Sequence, residues 1–287
     1  MSTPAIAPPE IHRVETAALA LTCLVWGRAD DPTAVLLHGN GGHALWWEPL
    51  VPYLVPGWRL VVPHLRGHGR SDWAEPPRYR LGDFAGDALA VMDALAPGRV
   101  PVVGHSMGGR VALWLAATRP DRVRALGMLD SRLDLIDARF AERHRGRVAG
   151  KRHGRHYASR AEAMAAFRFV PDEPDVDPAI VRRLAGEAVH EARPGEWTFR
   201  FDRGVLSLEG DEAGDLHRLL PALRCPTFVG AGATSWVLAA AHRERIQRAV
   251  PHARVEVYPG GHHFLLRCPA QVGAALRTFL DGLDRTR

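Results

Sequence analysis

The chain has 287 residues, of which 46% are hydrophobic, and this is enough apolar material for one large folded domain with or without an inserted segment. The composition therefore excludes a wholly disordered protein. The net charge of +5 comes almost entirely from arginine. Because the basic residues are scattered and no nucleic-acid motif is present, we predict no nucleic-acid partner.

Cysteine content and the N-terminus indicate the expected compartment. Cys23, Cys225 and Cys268 are too few and too far apart for a disulfide framework or a zinc centre. The N-terminus lacks a secretory signal, and no apolar stretch reaches the ~18 residues that a membrane span needs. We expect a cytoplasmic protein with no membrane partner and no metal site.

Short apolar runs alternate with helical segments along most of the chain. After a Pro-rich start, predicted as a loose arm or an edge strand, runs of this kind are typical of buried parallel strands. The predicted strands are residues 18–27, 34–39, 58–65, 99–106, 123–130, 225–232 and 253–260. Helices are predicted around 81–95, over 107–118 and over 271–280, from apolar spacing and from Arg119-Pro120 as a stop. The alternation predicts an α/β protein with a mainly parallel sheet.

The alternation stops between residues 131 and 215, which show no clear strand pattern. We predict a mostly helical cap there, inserted between two parts of an α/β core at 1–130 and 216–287. An Arg-rich run at 139–160 lies in the cap. It is typical of a solvated helix face, which we favour, or of a site for an anion.

The segment GHSMGG, residues 104–109, carries the strongest functional signal. It follows a predicted strand and opens a predicted helix, which is the context of a nucleophile elbow. The sharp turn needs Gly104 and Gly108 and lifts the Ser106 hydroxyl clear of the sheet. At the helix N-terminus, the Met107 N–H can face a developing oxyanion.

Together with three other segments, this motif resembles the α/β-hydrolase superfamily, in its cap-bearing branch. LLHGNGG at 36–42 is similar to the family's oxyanion loop, which implies that the Asn40 and Met107 N–H groups form the oxyanion hole. HLRGHGRSD at 64–72 is similar to the loop after the fourth strand, with His64 in place of a structural Asp. GGHHFLL at 260–266 resembles the segment that carries the catalytic base, which implies His262 in that role.

The acid of the expected catalytic triad is not at its usual place in the family. That place falls near Thr234 and Ser235, and the nearest acids on either side are Asp215 and Glu244. In some members the acid lies instead at the end of the sixth strand, which here ends in Asp130. We predict Asp130 as the acid. Asp134, Asp137, Asp215 and a Ser–His dyad remain alternatives.

The residues after the oxyanion loop are candidates for the substrate pocket. His43, Trp46 and Trp47 are predicted to line it, with core packing as an equal alternative for the tryptophans. The resemblance implies a serine hydrolase that cleaves a small carboxylic ester or lactone through an acyl-enzyme, without a cofactor. The alternatives are a thioesterase, an amidase, a C–C bond hydrolase, a cofactor-free haloperoxidase, and a non-hydrolytic member that binds or cyclises a ligand.

Overall fold

The computed structural model describes residues 6–134, 152, 154–207 and 214–283. Its strands are β1 (Glu10–Glu15), β2 (Ala20–Trp26), β3 (Thr33–Leu37), β4 (Arg59–Pro63), β5 (Val100–His105), β6 (Val123–Leu129), β7 (Val189–Arg193), β8 (Glu196–Phe199), β9 (Thr227–Gly232) and β10 (Arg254–Tyr258). Its α-helices are α1 (Val51–Leu54), α2 (Leu81–Leu95), α3 (Met107–Thr118), α4 (Arg160–Ala165), α5 (Pro178–Ala188), α6 (Ala240–Ala249), α7 (Phe264–Arg267) and α8 (Pro269–Gly282). Shorter 3-10 helices cover Ala44–Leu50, Arg203–Ser207 and Leu216–Ala222.

Eight strands form one sheet in the order β1-β2-β4-β3-β5-β6-β9-β10. The pairs β1·β2 and β2·β4 are antiparallel and the remaining pairs are parallel, so the predicted mainly parallel sheet is confirmed. Every predicted strand is a strand of this sheet, and the Pro-rich start leads into β1, an edge strand. Strands such as β5 are buried along their whole length, because helices cover both faces of a parallel sheet.

Two apolar clusters lie on the two sides of the sheet. One packs α2 and α3 against the sheet, and the other packs α1, α7 and α8. No helix within the described ranges is long and apolar enough to cross a membrane.

The segment predicted as a mostly helical cap contains strands as well as helices. Alongside α4 and α5, the strands β7 and β8 form an antiparallel hairpin, and its turn contains Gly195 at φ 77°. The sequence analysis did not predict this hairpin, although Pro194-Gly195 is a turn signal between two short runs. Its strands are only four or five residues long, and apolar and polar residues alternate in β8 (EWTF) but not in β7 (VHEAR), so the strand pattern is weak. Most of the Arg-rich run lies outside the described residues.

Candidate active site

Ser106 is the single residue between the end of β5 and the start of α3. Its backbone has φ 53° and ψ −115°, a conformation that non-glycine residues rarely adopt and that is often found at functional sites. A Cβ at Gly104 would lie 2.1 Å from the carbonyl carbon of Gly108, and a Cβ at Gly108 would lie 2.2 Å from the Leu37 oxygen. The turn therefore requires both glycines, as the elbow motif predicted.

The side chains of Ser106, His262 and Asp130 form one hydrogen-bonded chain. The Ser106 Oγ lies 3.0 Å from His262 Nε2, and His262 Nδ1 lies 2.6 Å from Asp130 Oδ2. The Nδ1–H donates to the carboxylate, which leaves Nε2 free to accept the serine proton. Asp130 is fully buried and Ser106 is partly accessible. This is the arrangement that an activated nucleophile, its base and an orienting acid require.

The stretch that lacks the usual acid contacts Asp130 directly. Asp130 follows β6, and β9 is the neighbouring parallel strand, so the residues after β9 lie beside it. Gly232 N–H donates to Asp130 Oδ1 over 3.1 Å, and the Ser235 hydroxyl donates to Oδ2 over 2.5 Å. Sequence reasoning missed these two donors. Their position at and just after the end of β9 was the available signal.

The alternative acids have other partners. Asp134 accepts from Arg132 at 2.7 Å and lies 3.1 Å from His242, while Asp215 pairs with His217 and Arg245. Asp137 lies outside the described residues. Of the described candidates, Asp130 is the one that bonds to His262.

Glu173 holds the loop that carries His262 through hydrogen bonds to its backbone. This residue was not predicted from the sequence as part of the site. The Glu173 carboxylate is 4% exposed and accepts from the N–H groups of Gly261, at 2.9 Å, and His263, at 3.0 Å. The His105 Nε2–H donates to the His262 carbonyl at 2.9 Å. The backbone on each side of the base is therefore held by side chains from distant parts of the chain.

Asn40 and Met107, the predicted oxyanion donors, follow two adjacent parallel strands, β3 and β5. Asn40 follows β3, and Met107 is the first residue of α3. Within the part of the chain that is described, neither N–H has a hydrogen-bond acceptor. The positive end of the α3 dipole adds to the potential at this point. Their role in binding an oxyanion stays a prediction.

Two buried histidines hold the oxyanion loop in place. His68 Nε2 accepts from Gly41 N–H at 3.1 Å. His38 Nε2 accepts from Leu65 N–H at 3.0 Å, while its Nδ1–H donates to the Gly39 carbonyl at 2.8 Å. Burial lowers the pKa of His68 to about 4 and that of His38 well below its usual value. Both rings therefore stay neutral near pH 7, as acceptors of N–H groups must.

The three predicted pocket residues have different surroundings. His43 is buried and its Nε2–H donates to the Leu184 carbonyl of α5 at 3.0 Å, which joins the cap to the core. Trp47 is fully buried, a placement that favours core packing. The Trp46 ring packs edge-on against His263, with 5.1 Å between ring centroids, next to the loop of His262. Substrate contact by these residues stays a prediction.

Three histidine rings form a group that has the donor chemistry for a transition-metal ion. His105, His262 and His263 are buried, and each offers a ring nitrogen within 4.8 Å of the others. Both ring nitrogens of His262 already contact Asp130 and Ser106. A metal ion bound here would compete with the serine for His262 rather than assist it, so we assign it no part in the chemistry.

The sequence matches the alpha/beta hydrolase fold family over residues 32–266. This is more than half of the chain, and the protein belongs to that family.

Similar proteins are named as hydrolases. The chain is 30% identical to a Caulobacter sp. (strain K31) protein with the provisional name carbamate hydrolase RutD, over 88% of this chain and 92% of the relative. It is 31% identical to esterase Rv0045c of Mycobacterium tuberculosis, over 86% of this chain and 80% of the relative. The solved structure of that esterase superposes with a TM-score of 0.77, covering 96% of this chain and 93% of the other, at 28% identity. The chain is therefore a hydrolase of the alpha/beta hydrolase fold.

Proposed function

We propose that the protein is a serine hydrolase that cleaves a small carboxylic ester or lactone through an acyl-enzyme. The observation that carries the proposal is the hydrogen-bonded chain from Ser106 through His262 to Asp130, with distances of 3.0 and 2.6 Å. The position of Ser106, at a positive φ directly before the N-terminus of α3, supports the proposal, because backbone N–H groups at a helix N-terminus can stabilise an oxyanion.

Each group has a defined task in this proposal. His262 Nε2 takes the Ser106 proton as the oxygen attacks the carbonyl carbon, and Asp130 stabilises the imidazolium that forms. The Asn40 and Met107 N–H groups stabilise the negative charge on the carbonyl oxygen. His262 then returns the proton to the leaving alcohol, and water, deprotonated by His262, releases the acid from Ser106.

A second candidate is cleavage of a carbamate or amide bond by the same groups. The name of the Caulobacter relative favours it. An amide differs from an ester in its leaving group, because an amine must be protonated by His262 before it can depart, whereas an activated alcohol need not be. Comparing an ester with the carbamate of the same leaving group tests the acyl group, and comparing the ester with the anilide of the same acyl group tests the leaving group.

The test measures steady-state hydrolysis of p-nitrophenyl acetate, the matching p-nitrophenyl carbamate and p-nitroacetanilide. We expect Ser106→Ala to be inactive and Asp130→Asn to lose about 10⁴-fold in kcat, because the histidine would be held in the wrong tautomer. Asp134→Asn is the matched control and should keep full activity, because its carboxylate contacts Arg132 and His242 instead.

Near-full activity of a folded Asp130→Asn protein would show that the triad is wrongly assigned. A higher kcat/KM for the carbamate or the anilide than for the ester would favour the second candidate. Loss of activity in the Asp134→Asn control alone would assign the acid to that residue.

A further inference from the structure

A second concave site lies in the cap segment, apart from the residues of the candidate active site. It is an open cleft of about 680 Å³ between α4, α5, the β7–β8 hairpin and the loop after β4. Five of the residues that line it are arginines: Arg70, Arg160, Arg182, Arg183 and Arg200. The lining contains only two acidic residues, Glu187 and Glu191, so it carries an excess of positive charge.

Three of the arginines are occupied within the protein. Arg70 forms two hydrogen bonds with Glu187, at 2.6 and 2.8 Å. Arg183 pairs with Glu48, which lies outside the cleft, at 2.8 and 2.9 Å, and Arg160 donates to a backbone carbonyl at 3.1 Å. These contacts hold the three side chains in place, and the pairing with Arg70 takes up the negative charge of Glu187.

The other two, Arg182 and Arg200, have no ion-pair partner among the residues described. Arg182 is exposed, whereas Arg200 is partly buried, and this burial lowers the pKa of its guanidinium. The nearby Glu187 carboxylate offsets part of the cost of this burial, but it is already hydrogen-bonded to Arg70, so an incoming anion would restore the balance.

Two backbone hydrogen bonds hold Arg200 in place, so the point from which its side chain extends is fixed. Its N–H donates to the Ala188 carbonyl at 2.7 Å, and its carbonyl accepts from Gly69 N–H at 2.8 Å. The lining also includes Met164, Val189 and Trp197, which offer apolar surface. A cleft lined by both basic and apolar side chains suits an organic molecule that carries a charged group.

We propose that this cleft binds the anionic group of a small organic molecule through Arg200 and Arg182, the two lining arginines that have no ion-pair partner among the described residues. Guanidinium groups bind phosphate and carboxylate oxygens in pairs of parallel hydrogen bonds. Two guanidinium groups favour a dianion, either a phosphate or a dicarboxylate, over a single carboxylate. The inference does not depend on the proposed hydrolase activity, because no residue of the triad lines the cleft.

The experiment is isothermal titration of the full Ser106→Ala chain with inorganic phosphate and, separately, with succinate, at constant ionic strength near neutral pH. We expect saturable binding that weakens by about tenfold or more in Arg200→Gln and in Arg182→Gln, because each removes a charge-assisted contact. Arg28→Gln is the matched control, since it removes the same charge from an exposed turn and should leave binding unchanged.

Tighter binding of phosphate identifies a phosphate ester as the ligand class, and tighter binding of succinate identifies a dicarboxylate; either result supports the site. Circular dichroism checks the fold of Arg200→Gln, and the exposed Arg182 provides a variant whose folding is not at risk. The proposal is overturned if neither ion binds saturably, or if Arg28→Gln weakens binding as much as the cleft variants do.

Discussion

At the scale of single residues, Asp130 is the centre of the candidate site. A fully buried carboxylate needs hydrogen-bond donors, and Asp130 has three: His262, Ser235 and the Gly232 N–H. The last two hold both of its oxygens, so the carboxylate cannot rotate away from the histidine. Ser235 therefore acts through Asp130 as a positioning residue.

Ser235→Ala removes the hydroxyl that donates to Asp130 Oδ2. We expect kcat to fall about tenfold with KM little changed, because a hydrogen bond to a charged group contributes about 1.5–3 kcal/mol. Steady-state kinetics of the variant check this. Thr278→Ala is the control, since that hydroxyl donates to a helix carbonyl at 2.9 Å on the exposed side of α8. An unchanged kcat in Ser235→Ala would rule out a positioning role.

At the scale of elements, the loop between β10 and α7 decides where the base lies. It carries His262 and is joined to the cap by Glu173, which is 88 residues away in sequence from Gly261. The cap segment thus helps to set the position of His262 in the candidate active site. A loop held only by its ends would let the imidazole move, and small misplacements of a catalytic group cost large factors in rate.

Substitution of Glu173 should act on turnover through this loop. We expect kcat to decrease in the order wild type, Glu173→Gln, Glu173→Ala, with about tenfold or more lost in the alanine variant, because two backbone N–H groups lose their acceptor. Partial recovery by glutamine distinguishes positioning from a general loss of stability. The neighbouring Asp172 is exposed, so Asp172→Asn is the matched control. Equal effects of Asp172→Asn and Glu173→Ala would contradict the prediction.

At the scale of the whole molecule, buried neutral histidines couple stability to pH. Burial lowers the pKa of His43 to about 4, of His68 to about 4 and of His263 to about 3, and it places those of His38, His64 and His105 well below the usual value. In the unfolded chain the same rings titrate near 6.5. Between these values the unfolded chain binds protons that the folded protein does not.

The free energy of unfolding should therefore fall as the pH is lowered from about 7 to 5. The stabilisation is fully present above pH ~6.5 and is lost towards the folded pKa values, at about 1.4 kcal/mol per pH unit for each histidine. Urea unfolding at pH 7.5, 6 and 5 measures it, in a range where carboxylates stay mostly ionised. A free energy of unfolding that is constant between pH 7 and 5 would contradict the assignment of these rings as buried and neutral.

The turn at Ser106 and the sheet could be predicted because their signals are local. Gly104, Ser106 and Gly108 encode the elbow within five residues, and apolar runs bounded by glycine encode the parallel strands. The β7–β8 hairpin escaped prediction because its strands are four or five residues long and its pattern is weak. The role of Glu173 was not predicted because it lies in an acidic stretch, and nothing in that stretch indicates which backbone N–H groups its carboxylate will contact.

The sequence by itself determined the strands of the main sheet and the turn that presents Ser106, since hydrophobic period and turn chemistry act between near neighbours. Only the tertiary structure decided which carboxylate contacts His262, which hydroxyl donates to that carboxylate and which of the described arginines in the cap segment lack an ion-pair partner. Asp130 and Ser235 are 105 residues apart, and they meet because β6 and β9 are adjacent parallel strands. Contacts of this kind depend on strand order, and strand order follows from burying the apolar faces of the whole sheet at once.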